Sequence, residues 1–101
     1  MALKAALIFL TPQVDPQKDR QTVVTPAVEL TAVAVNNYVE AGKVCQELVV
    51  EGIAAFELCV GFGNIGAGIV AESLKGKAAV GVVRFDGHPG LEGKSGDELF
   101  N

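Results

Sequence analysis

The stretch Ile53-Ala54-Ala55-Phe56-Glu57-Leu58-Cys59-Val60-Gly61-Phe62-Gly63-Asn64-Ile65-Gly66 decides the fold. Its first half, Ile53 to Val60, is apolar except at Glu57, as expected of a strand buried within a parallel sheet. Gly61 to Gly66 follows as a glycine-rich turn, and Ala67 to Leu74 continues as a helix closed by Gly76. Strand, glycine turn and helix in that order form the repeating unit of an α/β domain.

Working outward, the same alternation recurs. Upstream, Asn37 and Glu40 form a capping-box-like start. Tyr38, Ala41, Val44, Cys45, Leu48 and Val49 then repeat at helical spacing, and Gly52 is a left-handed terminator. Before this helix, Val28 to Val35 reads as a strand. Downstream, Ala78 to Phe85 reads as another, ending in Arg84-Phe85-Asp86. At the start, Leu3 to Leu10 is a short apolar run stopped by Thr11-Pro12, a first strand. Asp15-Pro16 is a helix-start signal, so Gln17 to Val24 is predicted as a first helix. The expected order is β-α-β-α-β-α-β, a single four-stranded, mainly parallel sheet in the order 2-1-3-4. Helices on both faces would make it flavodoxin-like or Rossmann-like. Residues 1–86 form this single domain and 87–101 a glycine-rich C-terminal tail.

Composition supports one globular domain. The chain has 101 residues, half of them hydrophobic, 12 glycines and no tryptophan. Disorder is excluded by the apolar half, and a disulfide scaffold by the presence of only two cysteines, Cys45 and Cys59. Neither cysteine has metal-ligand spacing, so both are expected as reduced thiols and no metal is expected. No apolar run approaches the roughly 18 residues of a membrane span. The short run at the start has no cleavage site after it, so a cytoplasmic protein is expected. The net charge of −4 and the dispersed basic residues disfavour nucleic acid. Four strands leave two edges, and some apolar sheet surface needs cover. A homo-oligomer is therefore expected.

In open parallel sheets ligands bind beyond the carboxyl ends of the strands, where strand order reverses. That rule selects Thr11, Gln13, Asp15, Asn36, Asn37, the loop Gly61 to Gly66, and Asp86 to His88. Gly61, Gly63 and Gly66 form a GxGxxG that includes Asn64 and opens a helix. Such a turn lets the backbone approach an anion and directs unpaired amides at it. Asp86, at the end of the next strand, occupies the place of a ribose-binding acid. The motif follows the third strand, however, and the second half of a dinucleotide site is lacking. A small phosphate- or carboxylate-bearing ligand is the leading expectation, with Arg84, Asp86 and His88 as the adjoining wall; the cofactor is left open. A tight structural turn is the other reading of the loop.

Glu57 and Arg84 lie on strands expected to be neighbours. They read either as an ion pair that fixes register or as a proton-transfer group and an anion clamp. His88 is the one histidine and titrates near neutrality, yet it precedes Pro89-Gly90 and reads equally as a turn residue. Cys59 as a nucleophile would depend on that same histidine. An enzyme using Glu57 or His88 with Arg84 is thus the second functional expectation. A structural or assembly module, with loop and tail consumed by contacts, is the third. In the tail, Gly87, Gly90, Gly93 and Gly96 recur every third residue, while Leu91, Leu99 and Phe100 offer anchors for a lid or a clasp.

The segments Glu57-Leu58-Cys59-Val60-Gly61-Phe62-Gly63, Gly81-Val82-Val83-Arg84-Phe85-Asp86 and Lys94-Ser95-Gly96-Asp97-Glu98-Leu99-Phe100 resemble a family of small bacterial proteins of unknown function. Thr25-Pro26-Ala27-Val28-Glu29-Leu30 fits as well, so the resemblance spans nearly the whole chain. It implies a stand-alone bacterial domain and carries no activity, ligand or catalytic residue with it.

Overall fold

The computed structural model describes residues 2–85 and 87–101. Five strands, β1 (Leu3–Leu10), β2 (Arg20–Val24), β3 (Val28–Val35), β4 (Ala55–Leu58) and β5 (Ala79–Val82), form one sheet in the order β2-β3-β1-β4-β5. The helices are α1 (Tyr38–Val50), α2 (Asn64–Ser73) and a short α3 (Gly96–Phe100), with one 3-10 turn over Pro89–Leu91. The protein is mixed α/β and its sheet is mostly parallel. The four strands expected from sequence lie as β3-β1-β4-β5, and β2 adds an antiparallel edge strand, so the sheet has five strands rather than four.

That edge strand replaces the predicted first helix. Asp15 does start a turn: its carbonyl accepts from Lys18 and Asp19, and its Oδ1 accepts from the Gln17 amide at 2.9 Å. The turn goes no further because Thr22, Val23 and Val24 are β-branched and find a partner strand. Arg20 to Val24 pair with Val33 to Glu29, and the Thr22 and Thr31 hydroxyls meet at 2.8 Å. The chain therefore leaves β1, passes over the place of β3 to the edge, and returns by a hairpin to lie parallel to β1. Asn36 fastens the excursion, its side chain donating to the Val14 carbonyl and accepting from the Val14 amide.

Without that helix, only one face of the sheet is covered. Ala6, Ile8 and Leu10 of β1, Val33 and Val35 of β3, and Phe56 and Leu58 of β4 point into one core with Tyr38, Ala41, Val44, Cys45 and Leu48 of α1 and Val70 of α2. Both long helices lie on this side and pack against each other. The expected helices on both faces are thus corrected to one helical layer. The strand positions between the core residues form an open face, where Leu3, Phe9 and Val23 are exposed and the small Ala5 and Ala34 are buried.

Helix α1 begins as its sequence requires. Asn37 Oδ1 accepts from the Glu40 amide at 2.9 Å, and Glu40 reaches back to the amide and side chain of Asn36. Gly52, at φ +101°, then turns the chain toward β4. Burial raises the Cys45 thiol to about 12, so it is an inert core group.

Candidate functional site

The site is built at the carboxyl ends of β4 and β5, where the glycine loop meets the tail. After β4 the chain turns at Cys59 to Phe62, with the Phe62 amide donating to the Cys59 carbonyl. Phe62 stacks on Tyr38, ring centroids 5.6 Å apart. Gly66 in the first turn of α2 makes this packing possible, because a Cβ there would overlap the Tyr38 ring.

The tail then closes on the loop. Ser95 caps α3, its hydroxyl accepting from the Asp97 amide, and this aims Asp97 at the start of α2. The Asp97 carboxylate accepts from the Ile65 amide at 3.1 Å and the Gly66 amide at 3.2 Å. The Tyr38 hydroxyl lies 2.9 Å from Asp97 Oδ1 and 3.2 Å from the Gly61 carbonyl, the two acceptors for its proton, and itself accepts from the Gly63 amide at 3.1 Å. A Cβ on Gly63 would overlap the Asp97 carboxylate, and one on Gly96 would overlap the Gly61 carbonyl. The unpaired amides of a helix N-terminus attract an anion. Here the chain supplies that anion itself.

The electrostatics agree with this geometry. Desolvation alone would raise the Asp97 carboxyl, but the amides of Ile65, Gly66 and Asn64 and the Tyr38 hydroxyl outweigh it and hold the carboxyl below its usual range. Burial pushes the Tyr38 phenol up to about 12, opposed by the Gly63 amide and reinforced by the Asp97 charge. At neutral pH the pair is thus a carboxylate and a neutral phenol.

Beside this clasp lies a cleft of about 500 Å³. One wall is the loop and α2, through Phe62, Gly63, Asn64 and Ala67. The floor is the end of β5 and the residues just beyond it, including Val82 and Arg84, and the outer wall is the tail, through His88, Leu91, Lys94 and Ser95. His88 Nδ1 accepts from the Gly90 amide at 2.9 Å, which places the proton of the neutral ring on Nε2. The ring also meets the edge of Phe85, centroids 4.7 Å apart. Lys94 makes an exposed ion pair with Glu92 at 3.8 Å.

The structure brings Gly63, Asn64, Arg84 and His88 together around this cleft, with Gly61 and Gly66 at its back, packed into the clasp. Asp86 lies outside the described residues. Glu57 is not among the cleft walls. It is exposed on the open face of the sheet, in register with Leu7 and Gly81. Cys59 is also absent from those walls, its sulfur accepting from the Gly61 amide at 3.4 Å. Asn36, Asn37 and Asp15 are engaged in caps and turns, as described. Among the described residues no group of three or more His, Cys, Asp or Glu is placed to hold a metal ion, and no helix is long and apolar enough to cross a membrane.

Sequence reasoning missed Tyr38, Asp97, Lys94 and Ser95 as parts of the site. Tyr38 fits the apolar stripe of α1 and gives no other local sign. The run Ser95-Gly96-Asp97-Glu98 does have a helix-capping pattern, which was the available signal.

The fold and cleft define a class: a small α/β domain with one helical layer and a tail-closed cleft at the carboxyl ends of parallel strands. Within that class the chain belongs to the family of unknown function DUF6506, whose model matches residues 3–98. No curated protein and no solved structure matches the chain.

Proposed function

We propose that the protein binds a small anionic ligand, bearing a phosphate or a carboxylate, in the cleft between the glycine loop and the tail. The observation that carries this reading is the convergence of Arg84, His88 and Lys94 on one cleft in a chain of net charge −4. A volume of about 500 Å³ lies within the range of small-molecule sites, and the carboxyl ends of parallel strands are where such sites form. The ligand's charge is met by side chains, with Asn64 and Ser95 as further polar groups. The loop amides serve the ligand indirectly, by holding the tail that forms the outer wall. The Lys94–Glu92 pair is exposed and weak, so Lys94 exchanges partners at little cost.

A second reading, a structural module without ligand, is favoured by Asp97, because it saturates the amides that a ligand would otherwise use. A titration of amide spectra with inorganic phosphate and then with small carboxylates separates the two. Under the ligand reading, amides of Asn64 and of residues 84–95 shift while those of Ile65 and Gly66 stay. No shift anywhere at millimolar ligand sinks the binding reading and leaves the module. The enzyme reading now reduces to His88 beside Arg84, since Glu57 faces away from the cleft.

A further inference from the structure

We infer that two copies of this chain pair face to face through the open side of the sheet. Pairing register places Val23, Leu30, Ala5 and Ala55 in one row across β2, β3, β1 and β4. The next row is Gln21, Ala32, Leu7 and Glu57. Leu3 and Phe9 flank these rows on β1. These two rows are therefore mainly apolar, and Glu57 is the one acid in them. Neither α1 nor α2 covers it, because both lie in the core on the other side.

A second copy of the same chain fits this surface in extent and in charge. Each residue of a sheet covers about 16 Å² of its plane, from a rise of ~3.3 Å and a strand spacing of ~4.8 Å. With β4 of one copy over β2 of the other, the four strands β2, β3, β1 and β4 overlap and present about 400 Å² flat. Two faces together cover about 800 Å² in flat projection, the size of a weak, reversible interface. Stacked sheets with inner faces of small and branched side chains are a standard architecture.

The charges give the alignment. A hollow on the open face near the β2 edge is lined by Phe9, Gln21 and Ala32 and by three charged residues, Lys18, Asp19 and Arg20, one positive charge in excess. A two-fold axis parallel to the strands, between β1 and β3, lays β4 of one copy over β2 of the other. Glu57 then stands over the row that holds Gln21, beside Lys18, and the symmetry makes the contact twice. A buried acid without a partner would be costly, and this arrangement sets each Glu57 against a hollow of the other copy in which Lys18 and Arg20 outnumber Asp19. The inference is independent of the ligand reading, since the cleft does not include the open face.

Sedimentation equilibrium on the full chain tests it. The expected result is a reversible species of twice the 10.5 kDa chain mass. Phe9→Glu and Val23→Glu, at positions already exposed, weaken pairing by about tenfold or more without changing the far-ultraviolet spectrum. Glu57→Lys weakens it too, and adding Lys18→Glu restores affinity to within about threefold. A monomer at about 100 µM, alone or seated on anionic phospholipid vesicles, overturns the inference. So does a dimer indifferent to both Phe9→Glu and Val23→Glu. Failure of the charge swap to restore pairing overturns the two-fold alignment.

Discussion

The loop Gly61–Gly66 and the tail 87–101 are both rich in glycine, yet they use it differently. In the loop, Gly63 and Gly66 stand where a Cβ would overlap Asp97 or Tyr38. In the tail, Gly87 and Gly93 have nothing near them, and Gly93 is needed for its backbone, at φ +73°. Gly96 is the exception: among the tail glycines it is the one whose Cβ would meet the loop, at the Gly61 carbonyl. One composition thus answers two demands, close approach where the segments meet and a left-handed turn where the tail bends. The sequence spacing of the tail glycines gives no hint of this division.

The contrast is broken most sharply at the contact. Gly66→Ala and Gly96→Ala are expected to destabilise by about 3 kcal/mol or to release the tail, since ring and backbone atoms cannot yield as a flexible side chain would. Thermal unfolding with amide spectra of residues 90–101 distinguishes loss of fold from loss of docking. Asp97→Ala leaves two amides of α2 without their acceptor and is expected to cost about 1–3 kcal/mol, read by denaturant unfolding. Gly93→Ala strains only the turn and is expected to cost about 1 kcal/mol, without exposing Ile65 or Gly66. At the small end, Gly68 lies inside α2 with open space at its Cβ, so Gly68→Ala is expected to stabilise by about 0.5–1 kcal/mol. Were Gly93→Ala to cost as much as Gly96→Ala, the distinction between the two uses of glycine would fail.

Acid sharpens the same comparison. The Asp97 carboxyl is lower in the folded chain than in the unfolded one, so its stabilisation is complete above about pH 4 and is lost as pH falls below that. Tyr38 is raised, so its contribution is complete below about pH 10 and is lost as pH rises toward about 12. Tail signals in a pH titration should therefore change first at the two extremes, with Asp97→Asn removing the acid transition.

Much of the fold was legible because its signals are local. The apolar runs of β1, β3 and β4, the Asn37 cap of α1 and the terminator Gly52 each follow from a few adjacent residues. Gln17 to Val24 misled for a physical reason. Its helix-start signal is real and forms one turn, but β3 supplies a partner strand that outweighs it. The single helical layer follows from that one substitution of strand for helix. At the site, the position of the loop was legible and its occupant was not. Asp97 reaches amides some thirty residues away, a contact that leaves no period in the sequence. Glu57 lies on β4 as expected, but Arg84 lies beyond β5, which ends at Val82 and not at Phe85; strand alternation sends Glu57 to the open face while Arg84 follows β5 into the cleft.

The Asp97 clasp also has a kinetic meaning. It joins the tail to α2 by a few hydrogen bonds, while the sheet is held by many, so the tail is the unit expected to open first. The amide protons of Ile65 and Gly66 are held by Asp97 of the tail, which makes their exchange with solvent a clock for its opening. A ligand that requires the closed tail would slow that clock in proportion to its occupancy. Two protons in the middle of the chain thus report, molecule by molecule, how often its far segment lets go.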